Sequence, residues 1–163
     1  MEGNTNWSWS VTAVVIRDGK VLLARHTYGG GKGLLIVPGG YVEVGETPQE
    51  AVIREYIEET GVKISPREII GIRFNSHDWY VAFAADYLEG EARSDGDENS
   101  EVLWVSTDEA LVREDVPDLT KKLIGCALSC DRGLRLVPYN GSLKNGPYSL
   151  YGVDFDTNER GNG

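Results

Sequence analysis

The stretch TPQEAVIREYIEETG, Thr47 to Gly61, admits a helix with both ends defined, and the rest of the chain has to be arranged around it. Thr47 is placed to cap the first turn, Pro48 stands where its missing N–H costs nothing, and Glu50 completes a capping box. Gly61 can take the left-handed conformation that closes a helix, so the spacing predicts a helix from Thr47 to about Thr60. At 100° per residue, Gln49, Ile53, Tyr56, Ile57 and Thr60 form one side, expected to face the core, and Ala51, Glu55, Glu58 and Glu59 form the other. Glu55, Glu58 and Glu59 stand at i, i+3 and i+4, where like charges oppose helix formation by a few tenths of a kcal/mol per pair. They also crowd the end of the helix dipole that favours cations by about 0.3–1 kcal/mol per charge. Two readings account for them: a solvated acidic face, or oxygen ligands for a hard divalent cation.

The flanking residues separate these readings. Gly40, five residues, Glu46, seven residues, then Arg54-Glu55-Tyr56-Ile57-Glu58-Glu59-Thr60-Gly61-Val62 resembles the Nudix box, the signature of hydrolases acting on a nucleoside diphosphate linked to another group. Every fixed polar and glycine position matches. Tyr56 departs from the aliphatic residue usual in the family, and its place on the core side makes that a matter of packing. The similarity extends loosely from about Val11 to Val105. It implies an α/β/α sandwich with a mixed β-sheet, where element order alone says only α/β or α+β. It also implies Mg²⁺ or Mn²⁺ held by the carbonyl of Gly40 and by Glu55, Glu58 and Glu59. Glu98, just before a later strand, stands where the family often supplies a further metal-binding or proton-accepting carboxylate. The base that activates water is then a box glutamate, Glu55 first with Glu58 beside it, or Glu98. Glu46 and Arg54 are expected to brace the loop against the helix.

A chain of 163 residues is long enough for one domain burying roughly 70% of its unfolded surface, here residues 1–163 with an extension from about residue 131. The net charge of -10 argues against duplex nucleic acid as a partner and leaves small nucleotides. No apolar run approaches the ~20 residues that span a membrane, and the opening MEGNTNWSWS carries no secretory pattern, so the cytoplasm is expected, with the chain a monomer or homodimer. Cys126 and Cys130 form no disulfide framework or zinc set; one helical turn apart, they read as small buried residues.

Strands are expected at Trp9–Ile16 and Lys20–Ala24 around an Asp18-Gly19 turn, at Leu34–Val37, at Glu68–Phe74 and Trp79–Leu88 around Asn75-Ser76-His77-Asp78, and at Glu101–Val105. Pro38-Gly39-Gly40 reads as a tight turn. Ser106-Thr107-Asp108-Glu109 reads as a second capping box opening a helix to about Val112, and Asp118 as the cap of another reaching about Cys130. The run Gly29–Gly33 lacks a following Gly-Lys-Ser/Thr and reads as a connection. Arg25, just beyond a strand, suits either a phosphate or a surface salt bridge. Tyr80 lies near where some dinucleoside polyphosphate hydrolases carry a tyrosine and is a candidate substrate contact, although a strand aromatic is more often packing.

Substrate choice lies outside the box. A nucleoside triphosphate, cleaved to monophosphate and pyrophosphate, is the default expectation. ADP-ribose and dinucleoside polyphosphates are the alternatives, although His77 or Asp78 replaces the proline that marks many ADP-ribose hydrolases. Isoprenoid diphosphate isomerases share the fold but need a pocket cysteine, and a nucleotide-sensing module would be expected to lose box carboxylates that this chain keeps.

Overall fold

The first hairpin joins β1 (Ser8–Arg17) to β2 (Lys20–His26), with Ile16 opposite Val21 and Arg17 opposite Lys20. The computed structural model describes residues 7–129, 133–136 and 151–152. After a 3₁₀ turn at Gly29–Gly31 come β3 (Leu35–Ile36), β4 (Gly39–Tyr41), α1 (Pro48–Thr60), β5 (Lys63–Phe74), β6 (Asp78–Glu89), β7 (Asn99–Ser106), α2 (Thr107–Val112) and α3 (Asp118–Leu128). A short antiparallel pair, β8 (Arg135–Leu136) with β9 (Tyr151–Gly152), follows.

The sheet runs β3-β2-β1-β6-β5, with β4 also pairing β1 and β7 also pairing β2. It is mixed, because β1 and β6 run parallel while the other pairs are antiparallel. A parallel pair needs a crossover, and α1 lies within the one joining β1 to β6. Val11, Ala13, Val15 and Phe83 pack with Ala51, Val52 and Tyr56 of α1 on one face. Val14, Leu23 and Ala82 pack with Ala110, Leu123 and Ile124 of α2 and α3 on the other. The result is the α/β/α sandwich that the resemblance implies. Both faces of β6 are therefore core, because helices cover both sides of the sheet. Among the described residues no helix is long and apolar enough to cross a membrane.

Several local expectations give way to tertiary contacts. The expected turn at Gly39-Gly40 is a short strand on β1, with Ser10 opposite Tyr41 and Val11 opposite Gly40. β5 begins at Lys63, five residues before Glu68; Pro66 is tolerated because the ladder to β6 slips between Pro66 and Ile69. Neither late helix has a side-chain cap bond. Instead, the Thr107 N–H and hydroxyl both donate to the Gly19 carbonyl, at 3.0 and 3.3 Å, so the β1–β2 turn satisfies the start of α2. The Asp118 helix ends at Leu128, and Cys126 is exposed because the buried stripe is Thr120, Leu123, Ile124 and Ala127; Cys130 and most of the extension from residue 131 lie outside the described residues.

Candidate active site

α1 has the ends its sequence demands. Thr47 Oγ1 accepts from the Glu50 N–H at 3.3 Å, Glu50 accepts from the Thr47 N–H at 2.8 Å, and Gly61 caps the helix at φ 70°. Its buried face is rotated from the expected one. Ala51, Val52, Tyr56, Glu59 and Thr60 are inside, while Ile57 is 46% exposed. The rotation, about a quarter turn at 100° per residue, carries Glu59 from the outer side to the interior. Tyr56 fixes it: its ring is fully buried and its hydroxyl donates to the Ala13 carbonyl at 2.6 Å, which answers the polar requirement a buried phenol brings.

β4 is pressed between β1 and α1. Thr12 Oγ1 donates to the Pro38 carbonyl at 2.6 Å, and a β-carbon at Gly40 would collide with the Glu55 carboxylate. Glycine at 40 thus lets an acidic side chain of α1 lie directly on strand backbone. Glu59, 3% exposed, accepts the Gly39 N–H at 3.3 Å. Burial pushes its carboxyl up to about 8, with Glu55, Glu98 and Asp95 adding to the rise against the Gly39 hydrogen bond. Burial also raises Glu55, although the Arg54 guanidinium opposes it.

Arg54 holds the loop after β4 against α1, as expected. Its Nη2 and Nε meet Glu46 at 2.6 and 3.1 Å, Nη2 donates to the Tyr41 carbonyl at 3.0 Å, and Nη1 meets Glu55 at 2.9 Å and Glu58 at 3.1 Å. Glu58 points outward, with its side chain 59% exposed. Opposite α1, Tyr28 donates its hydroxyl to Glu98 at 3.1 Å, and Thr27 ties the two loops by donating to the Asp97 and Glu98 carbonyls. Burial first, then the bond to Glu98, pushes the Tyr28 phenol up to about 12.

These groups border a cleft of about 510 Å³. Gly39, Gly40, Tyr41 and Glu55 line one end, and Ser10, Asp78, Tyr80 and Arg73 continue it across the sheet; Glu98, Tyr28 and His26 close a side. The structure thus brings together Gly40, Glu55, Glu98 and Tyr80 on the cleft, with Glu59 just beneath at Gly39. Glu58 and Arg25 do not line it. Arg25 donates Nε to Glu101 at 2.7 Å and Nη1 to the Gly33 carbonyl at 2.8 Å and Asp115 at 3.1 Å, which is the salt-bridge alternative. Arg73, Asp78, His26 and Tyr28 were not assigned from the sequence. Strand register could have found Arg73, which pairs with Tyr80 across β5 and β6 and so shares its face.

Among the described residues, no three His, Cys, Asp or Glu side chains converge as a ready ligand set, because Glu55 turns to Arg54 and Glu59 to Gly39. The donors themselves suit a hard divalent cation: carboxylates and backbone carbonyls, with the buried Glu59 and the half-buried Glu55 both raised, in a place that positive charge would relieve.

The family model described as NUDIX domain matches residues 7–124. The chain is 37% identical over 113 residues to the "NAD-capped RNA hydrolase NudC" of Actinobacillus succinogenes, covering 63% of this chain and 41% of that protein. It is 34% identical over 94 residues to the "ADP-ribose pyrophosphatase" of Methanocaldococcus jannaschii, covering 54% of this chain and 56% of that one. The chain thus spans less than half the length of this NudC relative and little more than half of the second protein. The solved "NUDIX hydrolase from Nitrosomonas europaea" shares the fold with a TM-score of 0.70 at 25% identity, covering 83% of this chain and 99% of that one.

Proposed function

Since this chain belongs to the NUDIX family, we propose that it is a divalent-cation-dependent hydrolase that cleaves the pyrophosphate of a nucleoside diphosphate linked to a second group. The observation that carries this reading is that Glu55 and Glu59 lie against Gly40 and Gly39, with Glu98 on the side of the same cleft, which continues over Tyr80. The names of the relatives, hydrolases of NAD-capped RNA and of ADP-ribose, favour a pyrophosphate joining two organic groups over the nucleoside triphosphate put first by the sequence. With a net charge of -10 the chain has little sequence-independent grip on a polynucleotide backbone, so a small nucleotide is the proposed substrate.

In this reading the Gly40 carbonyl, Glu55, Glu59 and Glu98 would hold Mg²⁺ or Mn²⁺. Once bound, the cation supplies charge neutralisation for the pyrophosphate and acidifies a water. Glu55 takes the proton of the attacking water, because its carboxylate lies on the cleft directly against Gly40. Arg54 fixes that carboxylate's direction. Tyr28 orients Glu98 through its donated hydrogen bond. Glu58, exposed and paired with Arg54, is assigned no proton transfer.

The test is hydrolysis in ¹⁸O-labelled water with Mg²⁺ and then Mn²⁺, offered ADP-ribose, NAD⁺, dinucleoside polyphosphates and nucleoside triphosphates. The expected result is label in a phosphate-bearing product, with a two-group substrate turned over fastest. Nucleotide bound but returned intact across the whole panel overturns the hydrolase in favour of a sensor.

A further inference from the structure

The cleft has a second end whose chemistry differs from the acidic one. Tyr41, Ser10, Tyr80 and Arg73 are successive cross-strand partners on β4, β1, β6 and β5, so they stand in one rank on the same face, and all four line the cleft. Three strand spacings of about 4.8 Å place Arg73 roughly 14 Å across the sheet from the β4 glycines. That leaves room for a nucleoside together with the diphosphate that carries it.

Among the described residues lining the cleft, Arg73 is the one lysine or arginine, facing Glu43, Glu55, Asp78 and Glu98. Its guanidinium carbon lies over the Tyr80 ring, 4.7 Å from the centroid, while Nη2 donates to Asp78 Oδ2 at 3.0 Å. Asp78 is itself held, since its Oδ1 accepts from Ser10 Oγ at 2.9 Å and its backbone closes the β5–β6 turn with Asn75. The Arg73 side chain stays 48% exposed. A guanidinium whose charge is answered by a fixed carboxylate is a poor grip for phosphate, but its plane, backed by a tyrosine ring, is a good surface for a flat π-system.

We propose that Arg73, set over Tyr80 by the Ser10–Asp78 bond, is the platform on which the substrate's nucleobase stacks. The proposal rests on the hydrolase reading to the extent that the phosphates lie at the Glu55 end. Stacking tolerates any base, so the subsite selects for a nucleoside and discriminates weakly among bases.

The experiment compares two probes that differ only by a base, AMP and ribose 5-phosphate, by calorimetric titration in Mg²⁺. Wild-type protein is expected to bind AMP roughly tenfold more tightly, within the range that stacking on one side chain supplies. Arg73→Ala should abolish that advantage while leaving ribose 5-phosphate affinity unchanged. Arg73→Lys, which keeps the charge and loses the plane, should behave the same way. Retention of the advantage in either variant overturns the proposal, as does an equal weakening of both probes, which marks a phosphate grip. Unchanged melting temperatures separate these results from misfolding, and Asp78→Asn, which frees the guanidinium without altering it, should show a partial loss. Binding needs no turnover, so a protein inactive on every diphosphate that still prefers AMP through Arg73 refutes the hydrolase reading and supports the subsite.

Discussion

Glu59 is a carboxylate placed where a folded chain alone would not keep one. Its carboxyl is raised to about 8 in the folded state, against about 4.3 unfolded. Between those values the native state binds the extra proton, so the metal-free protein loses stability as pH rises from about 4.3 through 8. Glu59→Gln has no such proton. In the presence of a chelator, its melting temperature should gain on wild type progressively from pH 5 to pH 8.5; a gap that does not change with pH would mean that Glu59 ionises normally. Tyr56 makes a second residue-level case. Tyr56→Phe keeps the buried ring and removes the bond to Ala13, and should cost about 1 kcal/mol in urea unfolding. No loss would show that the hydroxyl does not hold α1 in its rotated position.

Within α1, stability and chemistry occupy different residues. Its ends are set by Thr47 and Gly61, and the carboxylates proposed to hold the cation lie in the second half, so the two can be altered separately. Thr47→Ala removes the cap and should cost about 1 kcal/mol, and Gly61→Ala should cost at least about as much, because φ 70° strains any side chain and the new β-carbon would meet the Glu91 carbonyl at 3.1 Å. Both losses should appear as a lower urea midpoint with turnover at saturating substrate nearly unchanged. A collapse of turnover in Thr47→Ala at temperatures where the protein remains folded would contradict that separation and make the helix start part of the site.

At the level of the whole chain, the acidic end of the cleft joins α1, the β4 glycines and the loop before β7, so a cation bound there ties together three distant parts of the sequence. Binding to the folded state alone, at a hundred times its dissociation constant, stabilises by about 2.7 kcal/mol. For a protein of this size that is a rise of roughly 5–10 °C in melting temperature. Wild type should show that rise with Mg²⁺, Glu55→Gln and Glu59→Gln should lose most of it, and the outward-facing Glu58→Gln should keep it. A shift lost in Glu58→Gln alone would move the cation to the exposed side of the helix.

By itself the sequence determined α1, its cap and its closing glycine, both hairpins, and the placing of Glu55, Glu58 and Glu59 together on that one helix. Each of these depends on neighbours a few residues apart, where period, capping and turn preference act. Tertiary structure decided which way α1 faces, since that depends on Tyr56 meeting the Ala13 carbonyl 43 residues away. It also decided the fate of Arg25, taken up by Glu101 and Asp115 from the far end of the chain, and it brought Arg73 to the cleft through the pairing of β5 with β6 and β1. Local patterns carry the tendency of a segment to form an element. The partner that receives a buried hydroxyl or a guanidinium is chosen by whichever distant strand the packed core brings beside it, because an unmet polar group inside the protein costs more than local propensity supplies.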